Sequence, residues 1–270
     1  MPPVPEPKTA AGRDQASPRR VDLRLPLTRP EEEALAREVP RFVREIRLKA
    51  GRRRRRSRRG RLWPARVMRA SLTTGGVPFD LPMRAPRPRR PRVVVMVDVS
   101  WSVLRASSLF LSMSKGFLAR GARASVWLFV DRCVDATARL AGWKDHTPGG
   151  WAAFLEGLPD LDPRAASDYG RAFHQAFGAM GSRGVRALRR DTILVVLGDA
   201  RSNQRDPLAW VFEDMAARCR RVIWLDPEPA ELWGTGDSAL AAYLPACDVV
   251  CEARDLEGIA RGVAEIARAL

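Results

Sequence analysis

Asp98, Ser100 and Ser102 stand at alternate positions directly after Val93-Val-Val-Met-Val97. Five apolar residues, four of them Val, read as a strand buried on both faces. A strand that closes on one carboxylate and two hydroxyls delivers three oxygen donors to a sheet edge, and hard divalent cations such as Mg²⁺ take oxygen donors of this kind. From Val103 the sequence turns helical, so the donors fall in a strand-to-helix crevice, where open α/β sheets bind ligands. On this motif alone a second interpretation stays open, in which Asp98 caps the following helix and the two serines satisfy its free N–H groups. A second buried run, Asp191-Thr-Ile-Leu-Val-Val-Leu-Gly-Asp199, also ends in a carboxylate. Between the two lies Ala166-Ser167-Asp168-Tyr169-Gly170, a short polar loop opening a helix. Together these could bring Asp98, Ser100, Ser102, Ser167 and Asp199 around one cation.

The elements that must position these residues alternate between strand and helix beyond Val93, which predicts a doubly wound, mostly parallel, Rossmann-like sheet with helices on both faces. Residues 103–120 fit an amphipathic helix, 123–130 a strand, and 133–140 a weaker edge strand. Helices are expected at 150–157 and 169–180, with an Asp/Pro-rich loop at 159–168 between them. A helix at 207–219, a strand at 221–226, a helix near 237–244, a strand at 247–251 and a last helix from 255 complete the α/β domain over 91–270. Residues 1–90 form a basic extension that is partly helical and partly disordered. Within it, 1–30 are rich in Pro and charge and expected to be disordered, 31–50 carry a helical pattern, and 51–61 are Arg-rich.

Charge is very unevenly placed. Residues 1–92 hold 26 Lys+Arg against 9 Asp+Glu, whereas 93–270 hold 21 against 22, so a near-neutral body carries a strongly basic front. Four Cys without a C-x-x-C pair, and only two His, His146 and His174, argue against zinc and for free thiols in a reducing compartment. No apolar run approaches the roughly 18 residues of a membrane span. The first residues lack the charged and apolar regions of a signal peptide, so a cytoplasmic location is expected.

The set Asp98-Val-Ser100-Trp-Ser102, Ser167 and Asp199 resembles the metal-ion-dependent adhesion site (MIDAS) of von Willebrand factor A (VWA) domains. The Gly75-Gly76 and Arg/Pro-rich approach to Val97-Asp-Val-Ser100, Ser167-Asp-Tyr-Gly-Arg-Ala-Phe173, Leu197-Gly-Asp-Ala-Arg201 and Val222-Ile-Trp-Leu-Asp-Pro227 look like the CoxE-like subgroup. Departures are Trp101 where Gly is usual, Val103 where Met is usual, and Ser167 for the commoner Thr. The resemblance implies a VWA fold in which Asp98, Ser100, Ser102, Ser167 and Asp199 hold Mg²⁺ or Mn²⁺. In such sites the hydroxyls bind directly, the aspartates often act through water, and an acid from a partner fills the open position. It further implies a MoxR-type AAA+ ATPase as companion, the chain serving as adaptor in maturing or remodelling a client, often a metalloenzyme.

A cation held mainly by neutral hydroxyls keeps much of its positive field and attracts an external carboxylate. That is a recognition device, and no enzyme activity is expected from it. Trp101, between the two serines, is placed to touch the partner, as interface aromatics do, or to fold onto its own loop. Asp168 and Arg201 join it as partner-contact candidates; capping or loop support is the alternative for Asp168, and a solvated loop for Arg201. No Gly-x-x-x-x-Gly-Lys-[Ser/Thr] occurs, so no ATP site is visible. His174, on the helix after the Ser167 loop, is more naturally a surface histidine than a general base. The run Arg52–Arg59 reads as a solvated basic tail or as a docking surface for an acidic protein or nucleic acid. Nucleic-acid binding through the basic front is thus the alternative function, and an Mg²⁺-dependent hydrolase, for which no nucleophile and base pair is evident, is the least favoured.

Overall fold

In this computed structural model the described residues are 17–24, 30, 33, 34, 37, 61–62, 64–72, 75, 83–84, 92–118, 123–144, 148–181 and 188–269. A two-stranded antiparallel ribbon, β1 (Arg61–Leu62) with β2 (Met83–Arg84), encloses a short helix, α1 (Pro64–Ser71). The main body follows as β3 (Arg92–Asp98), α2 (Leu104–Leu118), β4 (Arg123–Phe129), β5 (Cys133–Asp135), α3 (Thr137–Gly142), α4 (Pro148–Glu156) and α5 (Tyr169–Gly181). It closes with β6 (Thr192–Leu197), α6 (Ala209–Arg218), β7 (Arg221–Asp226), α7 (Leu240–Tyr243), β8 (Val249–Glu252) and α8 (Leu256–Ala269).

The sheet runs β5-β4-β3-β6-β7-β8, with every pairing parallel except that of edge strand β5 with β4. Strand order therefore reverses between β3 and β6, and the crevice at such a reversal is where doubly wound sheets bind ligands. Every residue of β3 and of β6 is buried. Successive side chains alternate between faces, and both faces are apolar. Val93, Val95 and Val97 pack with Phe110 of α2, Phe154 of α4, and Ile259 and Val263 of α8. Val94 and Met96 pack on the opposite side with Phe173 of α5, Phe212 of α6 and Tyr243 of α7. The continuous valine run is what a central strand covered on two sides requires.

Two expectations change. The edge strand forecast over 133–140 stops at Asp135, whose Oδ1 accepts the Thr137 N–H at 2.9 Å. This local bond turns the chain, and α3 begins at Thr137, whose hydroxyl is bonded to Val126 of β4. The second change concerns residues 1–30, where 17–24 are ordered against the body. Ser17 precedes a 3-10 turn over Pro18–Arg20, the Leu23 N–H donates to Arg254 O at 2.9 Å, and Leu23 is 1% exposed within the core that contains α8. Proline and charge marked this stretch as unable to fold alone, yet Val21 and Leu23 give it enough apolar surface to dock. Of the helix expected over 31–50, residues 33, 34 and 37 are described and helical. The rest of that helix, the Arg52–Arg59 run and Gly76 lie outside the described residues.

Candidate functional site

The carboxyl ends of β3 and β6 lie side by side, and the residues that follow them build the site. Asp98 closes β3 and is fully buried. Its Oδ1 accepts the Ser100 N–H at 2.7 Å, so the carboxylate organises its own loop and is not spent on the first turn of α2. The Ser107 hydroxyl of α2 lies within hydrogen-bond reach of both the Asp98 and Val103 carbonyls, with one proton to share between them, and the Trp101 N–H donates to Pro163 O at 2.9 Å. The loop 99–103 is thereby pinned by the helix behind it and by the 159–168 loop beside it.

Within this frame the Ser100 and Ser102 hydroxyl oxygens are 3.2 Å apart, and the Ser102 hydroxyl donates to Asp199 Oδ2 at 3.0 Å. Asp199, also buried, accepts the Arg201 N–H on Oδ1 at 3.0 Å. Ser167 is carried by a loop docked on the same rim: Asn203 Nδ2 donates to Ser167 O at 3.0 Å, and the Tyr169 N–H donates to Ser202 Oγ at 3.3 Å. Four of the five candidate ligands, Asp98, Ser100, Ser102 and Asp199, are thus joined through one hydrogen-bonded chain. The fifth, Ser167, sits on the adjoining loop, and Ser102 opens to solvent.

The electrostatics favour a cation. Burial pushes the Asp98 pKa up to about 7, and the nearby Asp199 charge adds to it. Burial likewise raises that of Asp199. Among the described residues no Lys or Arg side chain hydrogen-bonds either carboxylate; their donors are two hydroxyl types and backbone N–H groups. Two buried acids facing each other, with the Arg201 charge acting on Asp199 only through space, are costly, and a divalent ion among oxygen donors is a group that would offset this. The residues therefore fit a hard divalent cation held by hydroxyls in front of two aspartates.

The partner-contact candidates resolve differently. Trp101 is 69% exposed at the rim, so it is not folded onto its own loop. Asp168 caps α5 through the Arg171 N–H at 2.9 Å and pairs with Arg205 at 3.1 Å. Arg201 makes two bonds to Glu228, at 2.9 and 2.8 Å, and one to Asp237 at 2.6 Å. These bonds raise its pKa, the Glu228 hydrogen bond first among the causes. Both side chains are engaged in holding the rim loops. His174 is exposed on α5, its ring 6.4 Å from that of Trp210.

Sequence reading missed Tyr169. It is the first residue of α5, completely buried, and its hydroxyl donates to Asp98 Oδ2 at 2.6 Å while lying 3.4 Å from Asp199 Oδ1. The available signal was its place directly after Ser167-Asp168, a polar aromatic opening the helix behind the loop. Asp226 was also missed as a titratable residue of this rim, although β7, like β3, is an apolar strand that ends in Asp.

Comparison with known proteins adds the following. The family described as "VWA domain containing CoxE-like protein" matches residues 35–259. No curated protein matches the chain. A solved von Willebrand factor type A protein from Catenulispora acidiphila is 17% identical with a TM-score of 0.40, over 66% of this chain and 42% of that one. Proximal thread matrix protein 1 from the mussel byssus is 15% identical with a TM-score of 0.41, over 67% and 48%; a second structure of that protein has a zinc-occupied MIDAS motif. The PilB minor pilin of Streptococcus sanguinis is 12% identical with a TM-score of 0.45, over 70% and 63%. The chain spans less than half the length of the first two of these structures.

Proposed function

The chain belongs to the family of VWA domain containing CoxE-like proteins, and on that premise we propose that it is a binding module which grips a carboxylate of a protein partner through a divalent cation, Mg²⁺ or Mn²⁺. The observation that carries this reading is the pair of buried aspartates, neither hydrogen-bonded by a Lys or Arg side chain among the described residues, behind a chain of serine hydroxyls at the strand-order reversal, with Ser102 and Trp101 open to solvent.

Ser100, Ser102 and Ser167 are the residues that would hold the ion, with Asp98 and Asp199 supplying negative charge from behind. When bound, the ion supplies a coordination position to an acid from outside the chain. The residues present do the rest. Asp98 and Asp199 orient the serine loops through the Ser100 N–H and the Ser102 hydroxyl. The neutral hydroxyls leave the ion's field unspent toward solvent. Trp101 offers an apolar surface beside it, the type of anchor that interfaces use. The serine hydroxyls and aspartates of this set are all assigned to holding the ion, so we assign it recognition and no turnover.

Membership of the CoxE-like group supports a MoxR-type AAA+ ATPase as the working partner, with this chain as its adaptor to a client that carries an exposed Asp or Glu. The test is capture of a MoxR-type ATPase of the same organism by the immobilised full chain in Mg²⁺, in EDTA, and by Asp98→Ala. Capture in Mg²⁺ that is lost in EDTA and in the variant, at unchanged circular dichroism, is the expected result. Capture that survives excess EDTA overturns the proposal.

A further inference from the structure

Tyr169 is surrounded by rings except at its hydroxyl. Phe129, Phe173, Trp224 and Tyr243 pack around it, the Trp224 ring stacked at 6.0 Å. The hydroxyl emerges between the two site aspartates. It donates to Asp98 Oδ2 at 2.6 Å and accepts the Ala200 N–H at 3.0 Å, with Asp199 Oδ1 at 3.4 Å. A phenol has one proton to give, and the distances assign it to Asp98.

The fold makes room for this hydroxyl. At Gly198 a Cβ would stand 2.2 Å from the Tyr169 hydroxyl and 2.8 Å from Asp98 Cβ, so any side chain there displaces one or the other. Gly198 therefore lets β6 approach closely enough for this one atom, carried by α5, to touch both the end of β3 and the loop after β6. With both Asp98 oxygens already engaged, Oδ1 by Ser100 and Oδ2 by Tyr169, the carboxylate is fixed in one rotamer.

From this geometry we infer that Tyr169 is a positioning residue of the metal site: its phenol sets the Asp98 carboxylate and spaces it from Asp199, so that a divalent cation meets a preformed arrangement. The inference rests on the cation-binding reading above and adds to it a residue, outside the serine and aspartate set, on which ion affinity depends. Hydrogen-bond partners behind metal-site residues typically change affinity by about 10–100-fold when removed.

Two tyrosines in the whole chain, Tyr169 and Tyr243, make a direct test practical. The full chain is labelled with 3-fluorotyrosine and followed by ¹⁹F NMR during titration with Mg²⁺, while calorimetry reads the affinity of the unlabelled chain and of Tyr169→Phe. The variant assigns the Tyr169 resonance by its loss. Mg²⁺ is expected to shift the Tyr169 resonance much more than that of Tyr243, whose hydroxyl bonds Pro207 O at 2.7 Å. Tyr169→Phe is expected to bind Mg²⁺ at least about tenfold more weakly with unchanged circular dichroism. Mg²⁺ bound by calorimetry with both tyrosine resonances stationary overturns the inference even if the variant does not fold, and so does wild-type affinity in Tyr169→Phe. Absence of Mg²⁺ and Mn²⁺ binding to the unmodified chain, with Asp98→Ala indistinguishable from it, overturns the cation reading itself and this inference with it.

Discussion

Replacing Asp226 by Asn should remove a pH dependence of stability that the fold builds into the rim. Asp226 is the last residue of β7 and fully buried. Its Oδ1 accepts the Glu228 N–H at 2.7 Å, while Oδ2 has no hydrogen-bond partner among the described residues. Burial, with smaller contributions from Asp199 and Glu228, pushes its pKa from an ordinary 3.8 up to about 8. A carboxyl that binds its proton more tightly in the folded chain stabilises fully below the unfolded pKa near 3.8, and this contribution is lost as pH rises through about 8. At about 1.4 kcal/mol per tenfold change in proton affinity the ceiling is roughly 5–6 kcal/mol. Readjustment of Arg201 and Glu228 lowers this to a realistic figure on the order of 2–4 kcal/mol. Asn keeps the Oδ1 acceptor and never ionises; whatever the new amide N–H₂ costs is the same at every pH and cancels. Urea unfolding of both chains at pH 5 and pH 9, in excess EDTA so that no bound cation contributes, gives the difference directly. The variant should gain on the wild type by about 2–4 kcal/mol between the two pH values. Parallel stability curves would refute the assignment of a neutral, unpaired carboxyl to this position.

Gly198→Ala should cost about 2–3 kcal/mol in the same unfolding assay, because the added methyl stands 2.2 Å from the Tyr169 hydroxyl and cannot be absorbed by a flexible side chain; a cost below about 0.5 kcal/mol, within the scatter of surface changes, would mean that β6 and α5 are less tightly apposed. Leu23→Ala should cost about 2–4 kcal/mol as a buried large-to-small change, although it lies nearly seventy positions before β3 in the chain. A negligible loss would show that residues 17–24 merely rest on the surface.

Legibility followed the length scale of the physics. The doubly wound sheet was readable because β3 and β6 must be apolar on both faces, and that leaves continuous valine- and leucine-rich runs. Asp98, Ser100, Ser102 and Asp199 were readable for a related reason: polar groups placed directly at the ends of such runs have one rim to go to. The short strand β5 was read too long because a single bond from the Thr137 N–H to Asp135, invisible to period counting, ends it. Leu23 was lost in a proline- and charge-rich stretch, since docking depends on a distant groove near Arg254 that no local pattern reports. Tyr169 was read only as part of the short polar loop that opens α5. Its role lives in a hydroxyl whose partners come from residues 71 and 30 positions away.

The distribution of charge over the rim, more than its amount, is what makes it receptive. Arg201 is a cation whose charge acts on Asp199, and its backbone N–H already touches that carboxylate. Had its guanidinium turned inward as well, Asp199 would be neutralised from within and the serines would face an internally balanced pair. Instead the guanidinium is held outward by Glu228 and Asp237, and Arg24 of the docked N-terminal segment stands 4.0 Å from the same Glu228. The outer acids thus take up the available arginines, and the inner acids are left with hydroxyl and amide donors alone. Such donors orient a carboxylate without cancelling its charge. The inner pair accordingly lies buried behind the Ser100–Ser102 hydroxyl chain, with no arginine side chain hydrogen-bonded to it among the described residues. On the reading proposed above, a divalent cation would offset the charge of these two aspartates from the solvent side, and the hydroxyls in front of it would leave its own charge available to one more acid from outside.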